Sequence, residues 1–168
     1  MMIFKMKKQV LDFEKINRIC GRLAYQILEN NINEDEILLV GIKEKGYEIA
    51  KIIENKLYNI TKSKIRLKSI TLDKKNPNQP IEVDINFDNL PKSVYLIDDV
   101  LNTGKTLMFA VNSLLKYDFD MIKTLVLIDR NHKRFPVKVD FKGLSLSTNL
   151  DDTVKLISKN NNLEAVLV

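Results

Sequence analysis

Residues 94–106 read VYLIDDVLNTGKT, and this stretch carries most of the information about the fold. The apolar and aromatic residues VYLI precede two adjacent acids, and a short turn then leads into TGKT. Such a continuous apolar run is typical of a buried strand in a parallel sheet. The residues after the turn predict a helix from Gly104 to Tyr117. Because ligands of parallel α/β sheets bind where a strand ends and a helix begins, the stretch predicts a binding site between Asp98 and Thr106.

Similar patterns on both sides of this stretch extend the fold prediction. Asp12 is a candidate N-cap for a helix that ends near Asn30, with Cys20 on its apolar core face. Further segments predict two buried strands (37–40 and 122–128), a helix (46–57) and an irregular strand (65–72). Alternating strands and helices indicate an α/β fold whose mostly parallel sheet is flanked by helices. The last forty residues have a mixed pattern that predicts no particular element.

The composition of the whole chain narrows the class of protein. A length of 168 residues fits one domain, and no apolar run approaches the roughly 20 residues that span a bilayer. The first residues, MMIFKMKKQV, contain too short an apolar stretch for a signal peptide. One cysteine excludes an internal disulfide and fits a reducing compartment. We therefore expect a cytoplasmic protein without membrane contact, and the net charge of +5 favours polyanionic ligands.

The chemistry of residues 98–106 favours a sugar phosphate as the ligand. Backbone N–H groups at the start of a helix attract phosphate, and Gly104 permits the backbone to approach it closely. The side chains of Thr103, Lys105 and Thr106 add two hydroxyl donors and a cation. The carboxylates of Asp98 and Asp99 would repel a phosphate, but they suit sugar hydroxyls or Mg²⁺.

This stretch has two other interpretations. A nucleoside-triphosphate P-loop has the pattern GxxxxGK[ST], but Asp99 stands where the first glycine is required. Alternatively, the acids cap a turn and Thr103 caps the helix, without any ligand. Two acids that leave a buried strand are costly without partners, so this second interpretation is disfavoured.

VYLIDDVLNTGKT resembles the phosphoribosyl pyrophosphate (PRPP) motif of type I phosphoribosyltransferases. The resemblance implies a parallel sheet flanked by helices, with a small hood over the active site. It also implies that Asp98 and Asp99 hold the ribose hydroxyls and that residues 102–106 hold the 5′-phosphate. Mg²⁺ is the implied cofactor. Asp98, Asp99 and Asn102 are the implied residues of the catalytic centre.

Two further segments extend the resemblance. Residues 39–46, LVGIKEKG, resemble the family's pyrophosphate loop, in which Gly41 and Gly46 would allow a tight turn and Lys43 and Lys45 would supply charge. Residues 127–147, LIDRNHKRFPVKVDFKGLSLS, are similar to the subfamily of pyrimidine operon regulators and uracil phosphoribosyltransferases.

The second of these segments implies the hood and a metal ligand. In the subfamily an Asp-Arg-Gly-His sequence precedes a Pro, an Asp-aromatic-x-Gly turn and a hood strand; here Asn131 replaces the Gly. We therefore expect a single domain over residues 1–168, with a hood from about 130–148 and the terminal segments. Asp140 would lie near the metal and the pyrophosphate, so Asp99 and Asp140 are the expected metal ligands.

The residues expected near the base distinguish among substrates. The purine enzymes of this superfamily carry an Asp at position 102 and a Lys at position 129, whereas this chain carries Asn102 and Asp129. Asn102 cannot act as a general base, which argues against hypoxanthine and guanine. We expect Asp129 and Arg130 to form an ion pair that shapes the hood. His132 is either a solvated loop residue or part of the base pocket.

These observations predict a Mg²⁺-dependent phosphoribosyltransferase that joins a pyrimidine-like base, with uracil favoured, to PRPP and yields a nucleoside monophosphate and pyrophosphate. The alternative is a nucleotide-sensing, RNA-binding regulator of pyrimidine genes with little turnover. The short segment 73–80, in place of the family's mobile loop, and the basic run 133–142 motivate it. A third, disfavoured reading is a purine salvage enzyme. A homodimer is expected on the resemblance to the family, and also because the first helix and the tail 163–168 offer apolar surface.

Overall fold

The computed structural model describes residues 8–32, 34–73, 82–83 and 89–168. Its main sheet has six strands in the order β4-β3-β2-β5-β6-β7. These strands are β2 (Glu36–Ile42), β3 (Lys64–Thr71), β4 (Glu82–Val83), β5 (Ser93–Leu101), β6 (Met121–Asp129) and β7 (Phe141–Ser145). All neighbouring pairs are parallel except β3 with β4. The predicted α/β class with a mostly parallel sheet is therefore confirmed.

Three helices cover the two faces of this sheet: α1 (Phe13–Asn30), α2 (Lys45–Tyr58) and α3 (Lys105–Leu114). Alternate residues of β2 point to opposite faces, so Ile37 and Leu39 join the core beneath α1 and α2. Leu38 and Val40 join the second core, beneath α3. Burial on both faces explains why the central strands are continuous apolar runs in the sequence.

Helix α1 begins where the sequence predicted. The Asp12 carboxylate accepts a hydrogen bond of 2.8 Å from the backbone N–H of Lys15, which satisfies a donor that has no partner inside the helix. Cys20 is fully buried in the core, as predicted, and burial raises the pKa of its thiol to about 12. No helix in the described part of the chain combines the length and the apolar character that a membrane crossing requires.

A second sheet, which we call the terminal sheet, consists of three antiparallel strands in the order β1-β9-β8. Its strands are β1 (Lys8–Leu11), β8 (Val154–Lys159) and β9 (Asn162–Leu167). The terminal segments thus form a separate layer. The strand expected in the hood near residue 141 instead pairs with β6 in the main sheet, so that part of the prediction is wrong.

The terminal sheet also removes the compositional argument for a dimer. Leu163, Ala165 and Val166 of the tail are buried against the core of their own chain. The apolar face of α1 is buried in the same core. The tail and the apolar face of α1 are therefore covered by their own chain, and the large apolar side chains that α1 leaves exposed are Phe13 and Tyr25.

Candidate functional site

Asp98 and Asp99 lie inside β5, which continues to Leu101, and not beyond the end of the strand as predicted. The strand stays paired because β6 runs beside it over this region, with Asp98 opposite Val126. Asp98 is only 6% exposed, and its Oδ1 accepts a 2.9 Å hydrogen bond from the backbone N–H of Asp99. Asp99 is half-buried. The two acids therefore differ in burial, although both reach the site.

The loop after β5 turns the chain into α3. Gly104 is the residue before the helix and has φ of 87°, in the left-handed region that favours glycine. A Cβ at this position would also collide with Cγ1 of Val137. The backbone N–H of Lys105 donates to Oγ1 of Thr103 at 3.3 Å. The loop thus presents the free start of a helix, as the sequence predicted for a phosphate site.

A first cavity of about 460 Å³ lies above this loop. Its walls come from the end of β5, the loop, the first turn of α3 and the start of β8; they are Asp98, Asp99, Val100, Leu101, Asn102, Thr103, Gly104, Thr106, Leu107, Thr153, Val154, Lys155 and Leu156. Lys105 is exposed and is not among the walls. Lys155, from the terminal sheet, supplies the cation there instead.

A second cavity of about 410 Å³ lies on the other side of the two acids. It is lined by the segment between β2 and α2 and by the end of β3, together with the two carboxylates: Lys43, Glu44, Lys45, Thr71, Leu72, Asp98 and Asp99. The peptide bond between Lys43 and Glu44 is cis. The structure thus brings the predicted pyrophosphate loop and the predicted phosphate loop to opposite sides of the same two acids.

The glycines of the predicted pyrophosphate loop have a different role from the one expected. Gly41 lies within β2, and Gly46 lies in the first turn of α2, so neither forms a turn. A Cβ on Gly46 would lie 2.8 Å from the carbonyl oxygen of Ile97 and 3.1 Å from Oδ1 of Asp98. Gly46 therefore allows α2 to pack directly against the acid-bearing part of β5.

Lys45 is held within the protein although it lines the second cavity. Its Nζ lies 2.9 Å from Oε1 of Glu48 and 2.7 Å from Oγ of Ser158 on β8. Lys43, in contrast, is exposed. Of the two predicted lysines, Lys43 is therefore the freer cation.

Arg130 is buried, and it connects three parts of the site. Its Nη1 donates to Oδ1 of Asn102 at 2.7 Å, and its Nε and Nη2 donate to Oγ1 of Thr148 at 3.1 and 2.9 Å. Nη2 also donates to the carbonyl oxygens of Asn149 and Asp152. The guanidinium thus links the phosphate loop to the segment that leads into β8.

The predicted ion pair between Asp129 and Arg130 is wrong. Asp129 is 1% exposed, and its Oδ2 lies 3.6 Å from Nζ of Lys133 and 3.7 Å from Nζ of Lys142. Because the two neighbouring residues follow each other at the end of β6, their side chains point in different directions.

His132 is half-buried and is not a freely solvated loop residue. Its Nε2 lies 2.8 Å from the carbonyl oxygen of Thr148. A carbonyl can only accept, so Nε2 carries the proton in this contact. His132 thus supports the same segment that Arg130 holds, and it does not line either of the two cavities.

The structure does not bring Asp140 to Asp99. The Asp140 carboxylate accepts hydrogen bonds from the backbone N–H and the hydroxyl of Thr124, at 2.8 and 3.0 Å. Thr124 pairs with Leu96 on β5, three positions before Asp99. Asp140 therefore anchors the chain before β7, and its expected place beside the metal is wrong.

Sequence reasoning missed the residues of the terminal sheet that line the first cavity, Thr153 to Leu156. A local signal exists, because the apolar residues Val154 and Leu156 alternate with polar neighbours, as in a half-buried strand. The signal does not reveal that this strand crosses to the site. The predicted short loop from Asp73 to Pro80 lies, after its first residue, outside the described residues.

Comparisons with known proteins agree with this geometry. The family model described as phosphoribosyl transferase domain matches residues 6–157. The chain is 33% identical over 160 residues to the bifunctional protein PyrR of Clostridium kluyveri, covering 90% of each chain. It is 28% identical over 169 residues to the pyrimidine operon regulatory protein of Lactococcus lactis, covering 96% of each chain. The predicted resemblance to the pyrimidine operon regulators is confirmed.

Solved structures show the same fold at lower sequence identity. A hypoxanthine-guanine phosphoribosyltransferase from Bacillus anthracis is similar with a TM-score of 0.74 and 16% identity, covering 98% of this chain and 100% of that one. A point mutant of the hypoxanthine phosphoribosyltransferase from Trypanosoma cruzi, in complex with the product IMP, is similar with a TM-score of 0.73 and 14% identity, covering 88% of this chain and 81% of that one. With a family match over residues 6–157, this chain belongs to the phosphoribosyl transferase domain family of transferases.

Proposed function

We propose that this protein is a Mg²⁺-dependent phosphoribosyltransferase that transfers the phosphoribosyl group of PRPP to a pyrimidine-like base, with uracil favoured, and releases pyrophosphate. The observation that carries the proposal is the position of Asp98 and Asp99, whose carboxylates line two cavities at once. A substrate with a phosphate at one end, a ribose diol in the middle and a pyrophosphate at the other end matches this order. In the proposal, the whole chain acts as one domain whose hood is the terminal sheet.

Each part of the substrate has a chemical counterpart. The loop 102–106 would bind the 5′-phosphate through the N-terminal N–H groups of α3 and the hydroxyls of Thr103 and Thr106. Asp98 and Asp99 would accept hydrogen bonds from the ribose hydroxyls. The pyrophosphate would lie in the second cavity, beside Lys43.

The donor set at the site is compatible with Mg²⁺. Within the described residues, no three His, Cys, Asp or Glu side chains cluster as a complete protein cage requires. Mg²⁺ is commonly held by one or two carboxylates together with substrate phosphates and water, and Asp99 is the half-buried carboxylate that faces both cavities. When bound with PRPP, the ion supplies positive charge that stabilises the departing pyrophosphate.

The chemical step exchanges one bond at C1 of the ribose for another. The C1–O bond to pyrophosphate breaks and its electron pair leaves with the pyrophosphate, while C1 gains cationic character. A ring nitrogen of the base forms the new C1–N bond, and its proton passes to water or to the released pyrophosphate. The protein would contribute by holding the 5′-phosphate and the ribose hydroxyls at fixed positions, which fixes C1 relative to the base. The carboxylates of Asp98 and Asp99, which line both cavities, would stabilise the positive charge that develops on the ribose.

A turnover assay tests the proposal. The protein is incubated with labelled PRPP, Mg²⁺ and a panel of uracil, cytosine, xanthine, hypoxanthine and guanine, and nucleotide formation is measured. We expect UMP from uracil and a loss of activity in Asp99→Asn. Asp118→Asn is the matched control, because it removes an exposed carboxylate that only pairs with Lys92 at the surface. Product from a purine base alone, or from none of the panel, would refute the pyrimidine assignment.

The second candidate function is an RNA-binding regulator. The names of the curated relatives motivate it, together with the exposed cations Lys133, Arg134 and Lys138. Of the two aromatic residues near these cations, Phe135 is exposed and could contact an RNA base. Phe141 packs against the core near Tyr95 and is not available for such a contact. Backbone-directed contacts from the cations would make binding depend strongly on salt.

A gel-shift titration with a structured RNA separates the two functions. We expect affinity to fall steeply between about 50 and 200 mM salt and to respond to UMP. Lys138→Glu should weaken binding, whereas Lys62→Glu, at an exposed position after α2, should not. If no complex forms even at low salt, the regulator function is excluded.

A further inference from the structure

The contact between Arg130 and Asn102 fixes the orientation of an amide group inside the first cavity. Arg130 is only 6% exposed, and its three guanidinium nitrogens all donate to oxygen atoms of the protein. Two of these acceptors belong to Thr148 and Asp152, in the segment before β8. The guanidinium therefore cannot rotate without losing several hydrogen bonds at once.

A guanidinium has only N–H donors, so the atom of Asn102 that faces it at 2.7 Å must be the amide oxygen. The oxygen and nitrogen of an Asn side chain are otherwise exchangeable by a rotation of 180°. In this position the rotation would set NH₂ against NH₂. The contact with Arg130 thus determines the orientation of the amide.

The amide nitrogen of Asn102 is then the atom left for the cavity. Asn102 is half-buried and lines the first cavity between the acids and the terminal sheet. Within the described part of the chain, Arg130 is the only side chain that hydrogen-bonds to the Asn102 side chain. The cavity therefore has a hydrogen-bond donor at this position, where an acid would place an acceptor.

We infer that Asn102 recognises the base by donating this N–H to an acceptor on the base, and that Arg130 is the positioning residue that fixes the donor. The inference rests on the proposed function and specifies its substrate class. The base must present a ring carbonyl oxygen or an unprotonated ring nitrogen toward the phosphate loop, and a base that presents an N–H on this edge is rejected. A base with such an acceptor binds best because the amide is already oriented before binding.

Equilibrium binding of two ligands isolates the contact with the base. Ribose 5-phosphate carries the sugar and the phosphate, and UMP carries the same groups with the uracil ring. The dissociation constant of ribose 5-phosphate divided by that of UMP measures the contribution of the base alone, and a larger ratio means a stronger contact with the base. We expect this ratio to fall about tenfold or more in Asn102→Asp, which replaces the donor by an acceptor, a loss of roughly 1.4 kcal/mol. Asn102→Ala should lower the ratio in the same direction.

Asn149→Asp is the matched control. Asn149 is exposed, and its backbone carbonyl accepts from the same guanidinium, but it does not line the first cavity. The control therefore adds the same charge near Arg130 without changing the donor in the cavity. We expect its ratio to stay within about twofold of the wild type, and circular dichroism melts should show all three variants folded.

Sulfur-substituted nucleotides identify the acceptor. Replacing one carbonyl oxygen of UMP by sulfur, in 2-thio-UMP or 4-thio-UMP, weakens that atom as an acceptor. One of the two should bind the wild-type protein more weakly than UMP, and this difference should disappear in Asn102→Ala, because the donor is then absent.

The outcomes separate the inference from the function on which it rests. An unchanged ratio in both Asn102 variants would overturn the inference. The inference would also be overturned if the wild-type protein bound ribose 5-phosphate and UMP with equal affinity. That result would leave the proposed binding of the phosphoribosyl group intact. If the wild-type protein binds neither ribose 5-phosphate nor PRPP with Mg²⁺, the proposed function itself fails.

Discussion

Gly46→Ala tests whether α2 must pack directly against the acid-bearing part of β5. The added Cβ would lie 2.8 Å from the carbonyl oxygen of Ile97 and 2.9 Å from Cα of Asp98. Both atoms belong to the backbone of a central strand, so no flexible side chain can give way. Ordinary contact begins at 3.4 Å, so α2 and β5 must separate by roughly 0.6 Å.

The expected cost follows from the overpacking of a buried interface, which typically destabilises by about 1–3 kcal/mol. The better helix propensity of Ala offsets less than about 1 kcal/mol of this, because the position is in the first turn. We expect a net loss of about 2 kcal/mol in the free energy of unfolding, measured by urea denaturation. Affinity for PRPP with Mg²⁺ should fall about tenfold, because Lys43, Lys45 and Asp98 move apart.

Gly21→Ala is the control for this substitution. Gly21 lies in the middle of α1, and a Cβ there would meet no atom within 4 Å. The change should stabilise the protein by about 0.5–1 kcal/mol through helix propensity and leave PRPP binding unchanged. If Gly46→Ala unfolds at the same urea concentration as the wild type while Gly21→Ala behaves as described, the packing argument is wrong.

Four further predictions concern the acids, the phosphate loop, the buried thiol and the assembly. Asp99→Asn should keep the wild-type melting temperature but lose most of the stabilisation by PRPP with Mg²⁺, about 1.5–3 kcal/mol. Asp98→Asn should lose a similar amount of ligand stabilisation and should also melt at a lower temperature without ligand. If both variants keep the ligand-induced stabilisation of the wild type, the carboxylates do not touch the sugar. Gly104→Val should raise the KM for PRPP about tenfold or more, because the residue has φ of 87° and its side chain would strike Val137; an unchanged KM in a folded variant would refute the loop assignment. Burial raises the pKa of the Cys20 thiol from 9.0 to about 12, so between pH 9 and 12 the thiol ionises in the unfolded chain but not in the folded one. The free energy of unfolding should therefore keep its full value below pH 9 and fall by up to about 4 kcal/mol between pH 9 and 12. Urea melts of Cys20→Ala should show a smaller dependence on pH over this window. On the family resemblance, and not on the apolar surface of α1 and the tail, we also propose a homodimer, which light scattering at micromolar concentration should detect; a monomer mass would refute it.

The elements that the sequence predicted well are those whose pattern is local. The apolar runs of β2 and β6 and the apolar face of α1 appear within one or two residues of their expected limits. Burial of a strand on both faces requires such a run, so the run identifies the strand. The end of β5 was predicted too early because two acids usually end a buried strand, and here pairing with β6 continues past them.

The residues that the sequence did not reveal depend on contacts between distant parts of the chain. Lys155 reaches the first cavity because β8 belongs to a sheet closed by β1 and β9. Arg130 contacts Asn102, which is 28 positions earlier in the sequence. Asp129 forms ion pairs with Lys133 and Lys142 and not with the adjacent Arg130. A pattern of residue types predicts which side chains are buried, but it does not specify which of several nearby donors and acceptors will meet.

The pairing of β1 with β9 has a consequence for the synthesis of the protein on the ribosome. Lys8 pairs with Leu167, so β1 finds its neighbour only after residue 167 has been made, about 160 residues later. Four of the five parallel strands, β2, β3, β5 and β6, are complete once residue 129 has been made, and they can pack with the three helices much earlier. The nascent chain therefore acquires its two acids and its phosphate loop before the wall formed by residues 153–156. A released chain truncated near residue 150 should therefore contain a folded sheet but should lack the wall that residues 153–156 add to the first cavity.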